Sequence, residues 1–441
     1  MFVEIGNTPR PYAWGSATAI AELLGREPSG APEAELWLGT HPGSPSRVVG
    51  GAAEGGGAGG GPGMLGEVVG ELPYLLKVLA ASAPLSLQAH PDDRQAREGY
   101  ERENAAGVPL DAPHRNYRDA SAKPEMIYAL SPAFEALCGF RPVAEVLGLV
   151  DALLELDAQT DEPQPQPLEH LRERLEAESL RDVFAWLASG GTGVATLVDR
   201  VTELALATAG GTGGGSEAGA GEADAPDADT ADAGAAADRA RALDTVRRLV
   251  ADNPGDPGIA VSLLLNRVTL RRGEALYLPA GNIHAYLSGL GIELMSSSDN
   301  VLRGGLTPKH IDVPELLRVL DFTPGKVPLL VPAVEGGAEV FRTPAGLVLV
   351  HIRSAGAPGA ELRQKPLSGP VLGAFDASQG GKARHGAIAI CVDGRMRVSG
   401  RNSAVELRKG QACYITADEG ELEIRGAGEL FVATADDSVR A

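Results

Sequence analysis

The chain has 441 residues, of which 44% are hydrophobic, so it can form large cores and about three domains are expected. Its formal net charge of −20 argues against a general nucleic-acid-binding surface and against a polybasic membrane contact. An anionic small molecule stays compatible with this charge if a local basic pocket exists. The three cysteines are far apart, so neither a disulfide framework nor a cysteine zinc site is expected.

The N-terminus lacks the pattern of a signal peptide, and no apolar run reaches the ~20 residues of a membrane span. A cytoplasmic protein is therefore expected. Residues 1–50 are predicted to form short strands and turns, and the Gly-rich segment 51–63 a flexible surface loop. Residues 72–80, 85–89 and 125–130 have the apolar character of strands, and the polar segment that begins at His90 is predicted to be a loop or short helix.

The pattern changes near Pro142, where apolar residues begin to recur at helical spacing. Such stripes run through residues 143–154, 168–187, 194–204 and 240–250 and predict amphipathic helices that pack on one another. Between the last two, residues 209–238 are almost entirely Gly, Ala, Asp and Glu, which is typical of a disordered acidic loop. The sequence thus predicts a helical insert over residues 142–254.

The chain is again rich in strand patterns after the insert. We predict a mainly β fold with two small β-barrels. The first is discontinuous, from residues 1–141 and 255–322, and binds a metal. The second spans residues 323–441 and repeats the strand–turn pattern at Gly410, but has no histidine to match His284 and is predicted to be metal-free.

Four side chains in the first barrel are candidate metal ligands. His284 follows a sharp Pro–Gly turn at the start of a strand, while Gln88 and His90 alternate on one face of another. Glu125 begins a third, apolar strand, so its carboxylate is expected to point inward. Two imidazoles, one carboxylate and one amide oxygen form a plausible ligand set for a divalent ion, with zinc the expected choice.

Each candidate also has a purely structural interpretation. His284 could end a hairpin and pair with backbone, the strand carrying Gln88 and His90 could be a hydrogen-bonded edge, and Glu125 could form a local salt bridge with Lys123. His41 is a weaker ligand candidate because it lies in a turn. The remaining histidines are expected to be surface or structural groups: His114, His170, His310, His351 and His385.

Several short segments keep the order and rough spacing of one known family: PYAWGS, ELWLGTHPGSPS, QAHP, KPEM, LPAGNIHAY and SSDNVLRGGLTPKHID. In these segments the chain resembles the type I mannose-6-phosphate isomerases, members of the cupin superfamily. The resemblance extends over essentially the whole chain. It implies two cupin-type jelly rolls with a helical insert, and one zinc ion bound by Gln88, His90, Glu125 and His284.

The resemblance also implies an active-site role for Arg303, and it puts Ser86, Lys123 and Lys309 near the substrate phosphate or hydroxyls. Gly304 stands where the family commonly has Ala, which is expected to change little. The implied reaction interconverts mannose 6-phosphate and fructose 6-phosphate through a cis-enediol and supplies mannose and GDP-mannose metabolism. The expected partner is a small phosphosugar, without nucleic acid or membrane, and a monomer is compatible with the sequence.

The sequence does not identify the base that moves the proton. Glu135, His41, Glu293, Asp299 and a zinc-bound hydroxide all remain candidates. Two rival functions are compatible with the same scaffold. An iron oxygenase on the same scaffold is disfavoured by Gln88 and the basic segment Arg303–Lys309. A non-catalytic sugar-phosphate sensor is disfavoured because every implied ligand and Arg303 are present.

Overall fold

The computed structural model describes residues 1–49, 63–208, 228–354 and 385–436. Two large antiparallel sheets dominate the fold. A group of helices is inserted in the sequence between two strands of the first sheet. In the described part of the chain, no helix combines the length and apolar character that crossing a bilayer requires. Most of the predicted Gly-rich loop, residues 51–62, and residues 209–227 of the predicted acidic loop lie outside the described residues.

The first sheet has ten strands; it carries Gln88, Glu125 and His284, and His90 directly follows its strand Leu87–Ala89. Its strands are β2 (Glu35–Leu38), β4 (Tyr74–Ala81), β5 (Leu87–Ala89), β6 (Glu125–Ala129), β7 (Ala133–Phe140), β8 (Leu265–Arg271), β9 (Ala275–Leu278), β10 (His284–Ser296), β11 (Leu302–Gly305) and β12 (Leu329–Leu330). Apolar residues recur along these strands, so their faces pack into shared cores.

Strand β10 is the longest of this sheet and connects its two parts. Its first residues pair with β5 and β7, whereas residues from Gly289 onward pair with β4 and β6. At Gly289, φ is +128° and an added Cβ would lie 2.7 Å from the Phe134 ring, so glycine is required there. The change of pairing partners along β10 leaves its His284 end beside β5.

The second sheet has nine strands. They are β1 (Phe2–Gly6), β3 (Arg47–Val48), β13 (Ala333–Glu335), β14 (Ala338–Arg342), β15 (Leu347–Ser354), β16 (Ala387–Ser399), β17 (Ala404–Arg408), β18 (Ala412–Ile415) and β19 (Glu423–Ala435). The predicted division at residues 141, 254 and 322 remains a prediction, with one departure at the N-terminus. Strand β1 pairs with β18 in this second sheet, from Phe2↔Ile415 to Ile5↔Ala412, and not with the first. Pairing over such a sequence separation leaves no local signal.

A buried polar group joins the two sheets. His351 on β15 contacts carboxylates on both sides, with Nδ1 2.7 Å from Glu339 and Nε2 2.8 Å from Glu429. Glu429 also accepts a hydrogen bond of 2.5 Å from Arg272, which lies in the turn between β8 and β9 of the first sheet. The Tyr128 hydroxyl on β6 lies 3.2 Å from His351 Nδ1. His351 is thus a structural group.

The helices are α1 (Ala19–Leu23), α2 (Leu65–Val69), α3 (Asp93–Ala105), α4 (Val143–Asp157), α5 (Gln166–Ala177), α6 (Leu180–Ala188), α7 (Val194–Ala207), α8 (Ala228–Asp252), α9 (Gly258–Val261) and α10 (Val313–Val319). Helices α4 to α9 lie between β7 and β8, where the insert was predicted, and the predicted apolar stripes form one core. The polar segment after His90 is a helix, α3, which Asp92 caps by accepting a hydrogen bond of 2.6 Å from the Gln95 N–H.

The prediction of an acidic loop over residues 209–238 is wrong for its last part, because helix α8 begins at Ala228. Residues 228–238 are rich in Ala, the best helix former. They also extend an amphipathic helix whose Leu243, Val246 and Leu249 are buried, so nucleation has already occurred at their C-terminal end. Composition alone therefore underestimated their helicity.

Candidate active site

Strand β5 places three predicted residues side by side. Gln88 lies opposite His284 on β10 and opposite Arg303 on β11. Directly opposed residues of antiparallel strands project from the same face of a sheet. Side chains separated by about two hundred positions in the sequence therefore form one row.

Three of the four predicted metal ligands form a compact cluster beside this row. One ligand atom from each of His90, Glu125 and His284 lies within 4.8 Å of the others, and all three residues are buried. His90 Nε2 and His284 Nε2 are each 3.4 Å from a Glu125 oxygen. Two atoms bound to one tetrahedral ion at about 2.1 Å stand roughly 3.4 Å apart. The cluster therefore has the spacing of a metal site.

The hydrogen bonds of the cluster also fit a metal ion. His90 Nδ1 is 2.8 Å from the Asn300 carbonyl, and His284 Nδ1 is 3.0 Å from the Asn282 carbonyl. These carbonyls hold the protons on Nδ1, so each Nε2 keeps its lone pair for a ligand. Both Nε2 atoms and Glu125 Oε2 are buried and have no hydrogen-bond partner among the residues that the structure describes. Orphaned buried polar atoms are costly, and a cation bound by all three would satisfy them.

The electrostatics favour the metal-binding protonation states of His90 and Glu125. Burial and the charge of Lys123 lower the pKa of His90 to about 4. Burial disfavours the Glu125 carboxylate, but Lys123 and His90 outweigh it and hold the pKa of Glu125 well below its ordinary value. Lys123 Nζ lies 2.9 Å from Glu125 Oε1, so the salt bridge considered as an alternative is present beside the cluster.

A cavity of about 640 Å³ opens over the cluster. Its volume lies within the range of small-molecule sites. All the residues predicted to bind substrate line it, together with two predicted ligands and the catalytic candidate: Ser86, Gln88, Lys123, Glu125, Arg303 and Lys309. A second cavity of about 230 Å³ shares Lys123, Arg303 and Lys309 and adds His41 and Asp299.

Three cations near these cavities lack an acidic partner. In the described part of the chain, no ion pair is formed by Arg118, Arg303 or Lys309. Burial and the charge of Arg118 lower the pKa of Arg303, and burial with Arg303 and Arg118 lowers that of Lys309. Mutually repelling cations at a cavity favour an anionic ligand. Sequence reasoning missed Arg118, although it stands only seven residues before Glu125 in an acidic chain.

Comparisons with known proteins show the family of this chain. A family model described as phosphomannose isomerase type I, catalytic domain, matches residues 2–143, and one described as mannose-6-phosphate isomerase, cupin domain, matches residues 378–435. The mannose-6-phosphate isomerase of Escherichia coli is 33% identical over 96% of this chain and 97% of its own length. The chain belongs to the mannose-6-phosphate isomerase family. The human enzyme is 34% identical over 71% of each chain.

A solved mannose-6-phosphate isomerase with zinc bound superposes with a TM-score of 0.74 and 29% identity over 99% of each chain. The predicted fold class, mainly β with helices and of the cupin type, is confirmed by the cupin-domain match and this structural neighbour. Membership of an isomerase family also favours an isomerase over both the sensor and the oxygenase hypotheses.

The isomerase has a second buried polar group that sequence reasoning found only in part. Lys77 Nζ lies 3.0 Å from Glu293 and 3.4 Å from Glu35, and the Tyr286 hydroxyl donates to Glu293 at 2.9 Å. All four line the larger cavity. Glu293 was named as a candidate base, but Lys77 was not. The signal was present, since Lys77 is the one charge in the fully buried strand YLLKVLAA.

The other base candidates differ in which cavity they line. Glu135 is bonded to Arg267 at 2.7 Å and to Thr269, and it lines neither cavity described here. His41 accepts a hydrogen bond of 3.1 Å from the Gly43 N–H, and its Nε2 is 3.5 Å from Asp299. Of these two cavities, His41 and Asp299 line the smaller one, whereas Glu293 lines the larger one, which includes Glu125.

Proposed function

We propose that the protein is a zinc-dependent aldose–ketose isomerase that interconverts D-mannose 6-phosphate and D-fructose 6-phosphate through a cis-enediol. The observation that carries the proposal is one cavity of about 640 Å³ whose wall includes Glu125 of the metal-ligand cluster together with Arg303 and Lys309, two cations that have no acidic partner among the described residues. The cluster suits the reacting end of the sugar, and the cations suit its phosphate. A relative that matches this chain over nearly its full length is named mannose-6-phosphate isomerase.

His90, Glu125 and His284 would hold the zinc ion, and Gln88, next to His284 in the sheet, is the fourth proposed ligand. Bound zinc supplies a Lewis acid that polarises the sugar oxygens beside the reacting carbons. The two imidazoles and the amide are neutral, so one carboxylate leaves the site with net positive charge.

Arg303 is proposed to stabilise the enediolate. The reaction moves a proton between C1 and C2, and negative charge develops on the adjacent oxygen. A guanidinium cannot release its proton, so it offers a fixed cation where that charge develops. Arg303 stands next to Gln88 in the row across β11, β5 and β10, which supports a position between the metal and the phosphate.

Lys309 and Arg118 are proposed to bind the phosphate, with Ser86 as a hydrogen-bonding group. Binding energy from the phosphate is remote from the reacting carbons and can be used to orient them. Lys123 was expected in the same role. Its contact with Glu125 supports instead a role at the boundary between the metal and the sugar.

Glu293 is the base that the geometry favours. Burial raises its pKa, the nearby carboxylates of Glu125 and Glu35 add to the effect, and Lys77 opposes it. A carboxylate with a raised pKa is better matched to proton transfer near neutral pH. Lys77 and Tyr286 hold one oxygen each, which fixes the orientation of the group.

The decisive experiment is a coupled assay for fructose 6-phosphate formed from mannose 6-phosphate, with and without a chelator. Arg303→Ala should lower kcat by about two orders of magnitude, the range typical of lost oxyanion stabilisation, while zinc content stays unchanged. Arg94→Ala, at an exposed position on α3, is the matched control. Near-normal turnover of Arg303→Ala would remove this residue from the mechanism.

We further propose that the enzyme works in the cytoplasm and supplies mannose and GDP-mannose metabolism. All the residues assigned above come from one chain, so a monomer suffices for the site.

A further inference from the structure

The turn that follows β11 has an unusual backbone. Leu306 has φ +57°, and it is the only non-glycine residue with positive φ in the described part of the chain. The turn stands between Arg303 and Lys309, and Leu306, Thr307 and Lys309 all line the large cavity. The conformation of Leu306 therefore determines how the two proposed substrate-binding cations are presented.

A leucine does not adopt this conformation without support. The left-handed region brings the Cβ of an L-residue close to the backbone, and a non-glycine residue there is disfavoured by a factor of roughly 5 to 150 in population. The Leu306 side chain is also buried, so solvent does not determine the conformation. Surrounding structure must hold the turn.

Asp256 provides that support from outside the sheet. Its Oδ1 accepts hydrogen bonds from the Leu306 N–H at 2.9 Å and from the Gly258 N–H at 2.7 Å, and its Oδ2 accepts from the Thr307 N–H at 3.3 Å. Asp256 lies in the connection between α8 and α9, at the end of the helical insert. One carboxylate thus joins the strained turn to the first turn of α9.

The two backbones are packed against each other at this point. A Cβ on Gly305 would lie 2.9 Å from the Gly258 Cα, and a Cβ on Gly258 would lie 2.9 Å from the Leu306 Cγ. Only glycine fits at both positions without displacing its neighbour. The turn and the start of α9 therefore form one close contact.

We propose that Asp256 is a positioning residue that holds the Leu306 turn in its strained conformation, so that Arg303 and Lys309 face the cavity. The helical insert thereby contributes to phosphosugar binding through the turn. This inference rests on the roles proposed above for the two cations, and it assigns to Asp256 a role that is separate from the metal ligands.

The expected effect is on substrate binding and not on the chemical step. Without Asp256 the turn relaxes, and only a fraction of molecules presents both cations. The apparent affinity for substrate falls in proportion to the fraction of competent molecules, and saturating substrate restores the competent state. Asp256→Ala should therefore raise KM for mannose 6-phosphate about tenfold, within the factor given above, and leave kcat within about twofold.

Two further variants separate positioning from general loss of structure. Asp256→Asn keeps one oxygen for the two shorter hydrogen bonds, so its KM should stay close to that of the parent. Asp256→Ala combined with Leu306→Gly should recover most of the lost affinity, because glycine adopts positive φ without steric cost. Zinc content, measured on each full-length zinc-loaded variant, should remain at the parent value.

Ser179→Ala is the matched control, since Ser179 caps a backbone N–H of α6 in the same insert and lines neither cavity. It should leave KM unchanged. The inference is overturned if Asp256→Ala leaves KM unchanged while Lys309→Met raises it, or if Leu306→Gly fails to rescue. If Lys309→Met and Arg303→Ala both leave KM and kcat unchanged, the proposed roles of these two cations are wrong, and the inference about Asp256 is wrong with them.

Discussion

Removal of the metal offers a test of the cluster that does not depend on activity. His90 Nε2, His284 Nε2 and Glu125 Oε2 are buried, and none has a hydrogen-bond partner in the described part of the chain. Leaving a buried polar atom unsatisfied costs about 1–3 kcal/mol, so three of them cost on the order of 3–9 kcal/mol when no ion is bound. Zinc at a thousandfold excess over its Kd adds about 4 kcal/mol of stability by mass action. The free energy of unfolding of the metal-loaded protein should therefore exceed that of the chelated protein by about 4 kcal/mol.

The measurement is urea unfolding followed by circular dichroism at pH 7, which compares the chelated protein with the protein in free zinc buffered at a thousandfold excess over its Kd. Glu125→Gln is the control, because it removes the anionic ligand and should unfold at the same urea concentration with and without chelator. If chelated wild-type protein that is metal-free by elemental analysis unfolds at the same midpoint as the loaded protein, the orphaned atoms are not a metal site.

Two further predictions concern the sheet contact and the fourth ligand. Burial opposes ionisation of Glu429, but His351 and Arg272 outweigh it and lower its pKa from 4.5 to about 2. Glu429→Gln should therefore lower the free energy of unfolding at pH 7 by about 2 kcal/mol. This is less than the whole pKa shift of Glu429 implies, because Arg272 is partly exposed and solvent screens its charge. The stabilisation is present above pH 4.5 and fades as pH falls toward 2, so the urea midpoints of the two proteins should converge as pH falls from 4.5 to 2, and a constant gap would contradict the argument. Gln88→Ala should lose zinc on dialysis whereas Ser86→Ala keeps it, and equal zinc content in both would count against Gln88 as a ligand.

The sequence predicted the metal cluster well because its signal is local. Gln88 and His90 alternate on one strand, Glu125 begins another, and His284 follows a Pro–Gly turn. Each pattern sets the face on which a side chain lies, and the family motifs supply the pairing between them. The cluster could therefore be assembled without coordinates.

The missed features depend on contacts that no local pattern records. Lys77 was counted as part of an apolar strand. Its partners Glu35 and Glu293 are both more than forty positions away in the sequence and lie on other strands. Arg118 gains importance only because Arg303 and Lys309 come to lie near it. The pairing of β1 with β18 joins opposite ends of the chain. In each case the partner is fixed by tertiary structure.

The row across β11, β5 and β10 also bears on which end of the substrate meets the metal. Neighbouring strands are roughly 4.8 Å apart, so the Arg303 and His284 backbones stand about 10 Å apart across Gln88. The metal cluster lies at the His284 end, and Lys309 follows Arg303 at the other. In the proposed reaction, a sugar that reacts at C1 and C2 would reach both ends only if its phosphate is at the far end of the carbon chain. A 6-phosphate would satisfy this requirement and a 1-phosphate would not, because it would bring the dianion to the proposed metal and leave the cations without a ligand.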